Sequence, residues 1–118
     1  MAVNLVVVRG ECAGPPEVRE LDGGRRLASL SVRVRAEGVR TSSVPVTVWN
    51  PPAWVEDLAD GAEVVVVGTV RRRFFRRAAG DAGTRVDVEA TYVGRAGQRR
   101  QLAAALRRAE GALEELMA

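Results

Sequence analysis

The chain has 118 residues, a net charge of +3 and 47% hydrophobic residues, enough apolar material for one domain with its own core. It holds no histidine and one cysteine, so a single chain can build neither a zinc site of ordinary type nor an internal disulfide. No apolar run is long enough to span a bilayer, and no GxxxxGKS/T or GxGxxG phosphate loop occurs.

The acidic residues are scattered and point to no carboxylate pair. The expectation is therefore a protein that is not an enzyme and takes no cofactor, no metal, no membrane and no small-molecule substrate. The lone Cys12 and the lack of a basic signal-peptide start in MAVNLVVVRG predict a cytoplasmic protein. All 18 cations are arginine, and lysine and isoleucine are both missing. That usage follows a GC-rich genome, so the placement of the arginines carries more information than their number.

Residues 3–12, VNLVVVRGEC, are rich in β-branched valine and predict a first strand, closed off by PP at 15–16. RLASLSVRVR (26–35) alternates: Ala28, Leu30, Val32 and Val34 face one way, Ser29, Ser31, Arg33 and Arg35 the other. SVPVTVWN (43–50) sets Val44, Val46 and Val48 against Pro45, Thr47 and Trp49. NPPAWVEDLADG (50–61) opens on proline and closes on glycine, which suits a short helix carrying Trp54, Val55 and Leu58. EVVVVGTVRRRFF (63–75) begins as a continuous apolar run and ends in an Arg/Phe block. TRVDVEATYV (84–93) sets Val86, Val88, Ala90 and Tyr92 against Arg85, Asp87, Glu89 and Thr91. The turn-like breaks are DGG, AEG and AAGDAG. A β-β-β-α-β-β order is the layout of a mainly-β, five-stranded OB-fold barrel with a short helix between its third and fourth strands, here residues 1–96.

Residues 97–118 predict a C-terminal α-helix of strong helix formers. Leu102, Leu106, Ala109, Leu113 and Leu116 recur at 4-3-4-3 spacing, an amphipathic heptad seam. Arg99 and Arg100 stand near its start, Glu114 and Glu115 near its end, against the helix macrodipole. The seam either docks on its own barrel or joins subunits; the small spare apolar surface of the barrel leans the expectation toward a subunit contact.

RRRFFRR (71–77) gathers five arginines and both phenylalanines of the chain. Strand alternation puts Arg71, Arg73, Phe75 and Arg77 on one face and Arg72, Phe74 and Arg76 on the other. Each face presents cations beside an aromatic. A single-stranded nucleic acid needs both, charge along its phosphates and a flat surface for each base. The alternative is an Arg-rich hairpin whose phenylalanines pack on a neighbouring subunit. Trp49, on the polar side of its strand, is either a stacking platform or an interface residue; Trp54 reads as core. Arg33 and Arg35 extend the wet face of the second strand. Cys12 reads as a buried or edge residue without chemistry.

Taken in order, NLVVVRGEC, PPEVREL, ASLSVRV, VPVTVWN, GTVRRRFF and GTRVDVEATYV resemble the bacterial single-stranded DNA-binding protein family over residues 3 to about 93. The resemblance implies an OB-fold that stacks the bases of single-stranded DNA on aromatics in a basic groove, a homotetramer or dimer, and a cytoplasmic, nucleoid-associated role in replication, recombination or repair. Trp49 matches the aromatic ending the third strand, and Phe75 the aromatic near the tip of the fourth. Asn4 and Gly10 match positions of the first strand, which pairs with its twin across a dimer in the family; Val6, Val7 and Val8 would line that contact, with Leu102, Leu106, Leu113 and Leu116 as a second one. Three places depart from the pattern. Ser43 stands where an aromatic is usual, the link RAEGVRT (35–41) has no aromatic, and EELMA replaces an acidic, Phe-ended tip. The competing readings are an RNA-binding or accessory OB-fold protein, and an oligomeric scaffold whose Arg hairpin meets an acidic partner.

Overall fold

The computed structural model describes residues 2–95 and 97–118. In chain order the elements are β1 (Val6–Cys12), β2 (Glu17–Glu20), β3 (Arg26–Val34), β4 (Ser42–Trp49), α1 (Ala53–Glu56), β5 (Glu63–Arg76), β6 (Ala82–Arg95) and α2 (Arg99–Met117). Hydrogen bonding runs β1-β5-β6-β4-β3, and β3 returns to β1 through Glu11–Arg33 and Cys12–Val32, which closes the ring. β4 lies parallel to β6 and the other neighbours are antiparallel. The architecture is the expected five-stranded OB-fold barrel.

The alternating valines fill it. Ala28, Leu30 and Val32 of β3, Val46 and Val48 of β4, Val64 and Val66 of β5 and Val88 of β6 are buried together with Cys12. Val55 and Leu58, on and just after α1, join the same core. Each of these valines and leucines contributes roughly 1.5–3 kcal/mol by leaving water. Closure depends on Gly10. A β-carbon there would lie 2.2 Å from the carbonyl oxygen of Arg33, so only glycine lets β1 cross so close to β3.

Four expectations need correction. The first strand starts at Val6 rather than residue 3, because the side-chain amide of Asn4 takes over the pairing there: it donates to the Val70 carbonyl at 2.9 Å and accepts from the Val70 amide at 2.8 Å. The 50–61 helix shrinks to the single turn Ala53–Glu56. Pro51 and Pro52 delay its start, and Asn50 sits at φ 47 with its side chain accepting from the Arg26 amide. β2 was not anticipated; it pairs with β3 from Glu17–Ser29 to Glu20–Arg26. The last strand is longer than expected, reaching from Ala82 to Arg95.

α2 lies against β5 and β6, with its own Ala105 buried on the side toward the barrel. The domain boundary expected at residue 96 falls on Ala96, outside the described residues. No helix among the described residues is long and apolar enough to cross a membrane.

Candidate nucleic-acid interface

β5 and β6 pair from Val64–Arg95 out to Arg76–Ala82. Their outer halves form a hairpin beyond the part of the barrel covered by core contacts. Arg77 closes it: its amide donates to the Asp81 carbonyl and its guanidinium reaches the Asp81 carboxylate at 3.0 Å.

One face of this hairpin is continuous with the outer wall of the barrel. Trp49 and Thr47 on β4 pair with Leu27 and Ser29 on β3. Thr47 lies beside Glu89 on β6, and Asp87 and Arg85 continue the same row. On β5 Arg71 stands opposite Asp87, Arg73 opposite Arg85 and Phe75 opposite Gly83. Trp49, Arg71, Arg73, Phe75 and Arg77 therefore share one surface.

One buried and one half-buried carboxylate, Asp87 and Glu89, occupy the middle of that surface. Asp87 is only 2% exposed. It accepts from the Thr47 hydroxyl at 2.6 Å and from Arg73 Nε at 2.8 Å. Arg71 meets Glu89 at 2.9 Å, and Arg73 approaches the same carboxylate at 3.7 Å. Arg71, Arg73 and Arg77 thus each have an acidic partner, which the sequence pattern did not reveal, whereas Arg85 on the same face forms no ion pair among the described residues. A guanidinium already paired offers less net charge to a phosphate and more orientation to its neighbours.

Phe75 stands on Gly83. A β-carbon at Gly83 would come within 2.7 Å of the Phe75 ring, so the missing side chain is what seats the ring flat on β6. The ring remains 44% exposed, with the Arg77 guanidinium 5.8 Å from its centre. On the opposite face Phe74 is 76% exposed, flanked by Arg72 and Arg76, for which no ion pair forms among the described residues.

Trp49 is half-buried, with the Arg25 guanidinium 5.1 Å from its ring. Trp54 packs on the core under the guanidinium of Arg95, at 4.9 Å. Arg33 does face outward, but at the far end of β3 from Trp49, and it is held by Asp60 at 3.3 Å. Arg35 follows the end of β3 and is exposed. Burial, reinforced by the Asp60 carboxylate, pushes the Cys12 thiol above its ordinary pKa of 9.0 and keeps it un-ionised near neutrality. Among the described residues no group of three or more His, Cys, Asp or Glu side chains is arranged to hold a metal ion.

The residues expected at a subunit contact separate. Val6 and Val8 turn toward the core, and Val7 points out, 50% exposed. β1 bonds to β3 only through Glu11 and Cys12, so its other edge is unpaired over residues 6–10 among the described residues. In α2, Leu102 is half-buried whereas Leu106, Leu113 and Leu116 are exposed.

No protein-family model matches the sequence, and neither does any curated protein. Solved structures do match. A deletion mutant of the single-stranded DNA binding protein from Thermus aquaticus is similar at 26% identity and a TM-score of 0.66, over 79% of this chain. This chain spans 40% of that protein's length. The Plasmodium falciparum SSB, in complex with ssDNA, is similar at 18% identity and a TM-score of 0.65, over 80% of this chain and 93% of its own. The fold is therefore the OB-fold seen in single-stranded DNA-binding proteins, as the sequence resemblance implied.

Proposed function

We propose that this protein binds single-stranded DNA without reading its sequence and serves DNA replication, recombination or repair. The observation that carries the proposal is the β5–β6 hairpin: two exposed phenylalanines on opposite faces, each beside arginines, on a barrel whose outer wall also holds Trp49. Its OB-fold neighbours, one of them in complex with ssDNA, support the same ligand class.

In this reading bases stack on Trp49 and Phe75, and on Phe74 from the other side of the hairpin. The unpaired Arg72 and Arg76 contact phosphates and displace counterions. Arg71, Arg73 and Arg77 chiefly hold the hairpin and the aromatic rings in place, adding phosphate contacts where their carboxylate partners permit. Arg33 and Arg35 extend the path along β3. A homo-oligomer, dimer or tetramer, is supported by the unpaired β1 edge with Val7 outward.

Titrating intrinsic tryptophan fluorescence with single-stranded DNA tests this. Quenching in the parent protein that is largely lost in Trp49→Ala, with affinity down by roughly 1–3 kcal/mol, is the expected result. Quenching that persists in Trp49→Ala would remove Trp49 from the site.

A further inference from the structure

α2 is docked along only half its length. Gln98, Leu102, Ala105 and Ala109 lie toward the barrel, and Ala105 is only 3% exposed. Beyond Ala109 the helix keeps its apolar stripe but loses its cover: Leu113, Leu116 and Met117 are 44%, 54% and 86% exposed. On the docked half, Leu106 also faces outward, across a groove from Val7. The uncovered stripe therefore runs from Leu106 to Met117 on one side of the helix.

The charges along that helix say what covers it. Its first half carries Arg99, Arg100, Arg107 and Arg108; its second half carries Glu110, Glu114 and Glu115. This order is unfavourable within one helix, because cations sit at the positive end of the macrodipole and carboxylates at the negative end. An antiparallel neighbour with the same sequence reverses both problems. Its glutamates come to the Arg-rich half, and its arginines come to the Glu-rich half. A parallel neighbour would set arginine against arginine and glutamate against glutamate.

We propose that α2 is a self-association surface, and that two copies of this chain pair their α2 helices antiparallel about a two-fold axis near Ala109 and Glu110. Leu106 of each copy then packs on Leu113 of the other, since the two positions are equidistant from that axis. The contact is isologous, so it closes on itself rather than growing into a fibre. It is distinct from the β1 edge and independent of nucleic-acid binding.

The test is sedimentation of the full chain at roughly tens of micromolar, with disulfide trapping. Two charge reversals, R107E/R108E and E114R/E115R, should each raise the dissociation constant about tenfold by placing like charges side by side. For trapping, L106C and L113C are oxidised singly and as a mixture. Cys12 is buried, and the parent protein serves as the uncrosslinked control. The mixture should give a disulfide-linked pair, and neither single variant should, because like positions lie about 10 Å apart along the axis at a 1.5 Å rise per residue. Crosslinking of L106C alone, as strong as in the mixture, would mean parallel helices and overturn the proposal. So would a full chain that stays monomeric, leaving α2 to a different partner, or self-association that neither charge reversal changes.

Discussion

The two faces of the β5–β6 hairpin use the same residue types in opposite ways. On the wall-side face Arg71, Arg73 and Arg77 are tied to Glu89, Asp87 and Asp81, and Phe75 is seated on Gly83. On the other face Arg72 and Arg76 have no ion pair among the described residues, and Phe74 stands 76% exposed. One face is preorganised, with three of its four arginines matched by carboxylates and only Arg85 left without an ion pair among the described residues; the other is cationic and unconstrained. An arginine count therefore misstates what the hairpin offers a polyanion. Rigid placement of an aromatic and net positive charge are supplied by different side chains.

The largest separation of the two faces should come from Arg73 against Arg72. Arg73→Gln leaves the buried Asp87 carboxylate without its countercharge, and should cost about 3 kcal/mol of folding stability in a urea melt. Arg72→Gln should leave the melt within about 0.5 kcal/mol of the parent. Equal melts for the two variants would mean that the Asp87 network is not structural.

Aromatic removal comes next. Phe75→Ala should weaken single-strand binding by roughly 1–3 kcal/mol with the fold intact. Gly83→Val should reproduce part of that loss while keeping the phenylalanine, since its β-carbon would collide with the Phe75 ring and displace it. An affinity unchanged by Gly83→Val would show that the ring's seat does not matter to the ligand.

The smallest effect concerns Cys12. Its raised pKa and burial predict a thiol that resists alkylation at pH 8 in the folded protein and reacts once the protein is denatured. Fast alkylation in the folded state would mean that the β1–β3 closure beside it opens readily.

Much of this was legible in the sequence, for reasons that also set its limits. Alternation in residues 26–35 and 43–50 named the core valines, because a half-buried strand must place every second side chain inward. The same rule sorted Arg71, Arg73, Phe75 and Arg77 from Arg72, Phe74 and Arg76. It could not supply the acidic partners. Those depend on register: Arg71 faces Asp87, and Arg73 faces Arg85, only because of where the hairpin turns and where the ladder slips between Val67 and Gly68. β2 went unseen because three charged residues around one valine carry no periodic signal, and the α1 region was overread because its start and stop residues bracket a loop as well as a helix. The heptad seam of α2 was visible, but it is split. Leu102 sits toward the barrel, while Leu113 and Leu116 remain outside.

The most direct test is the salt dependence of single-strand affinity in two double variants, with duplex of the same composition as control. If net charge resides on the unpaired face, R72Q/R76Q should lower the slope of log affinity against log salt by about 1.4, at ~0.7 per phosphate contact, while R71Q/R77Q should change it far less. Duplex should bind much more weakly than single strand throughout. Equal slopes in the two variants, or duplex bound as tightly as single strand, would contradict the account.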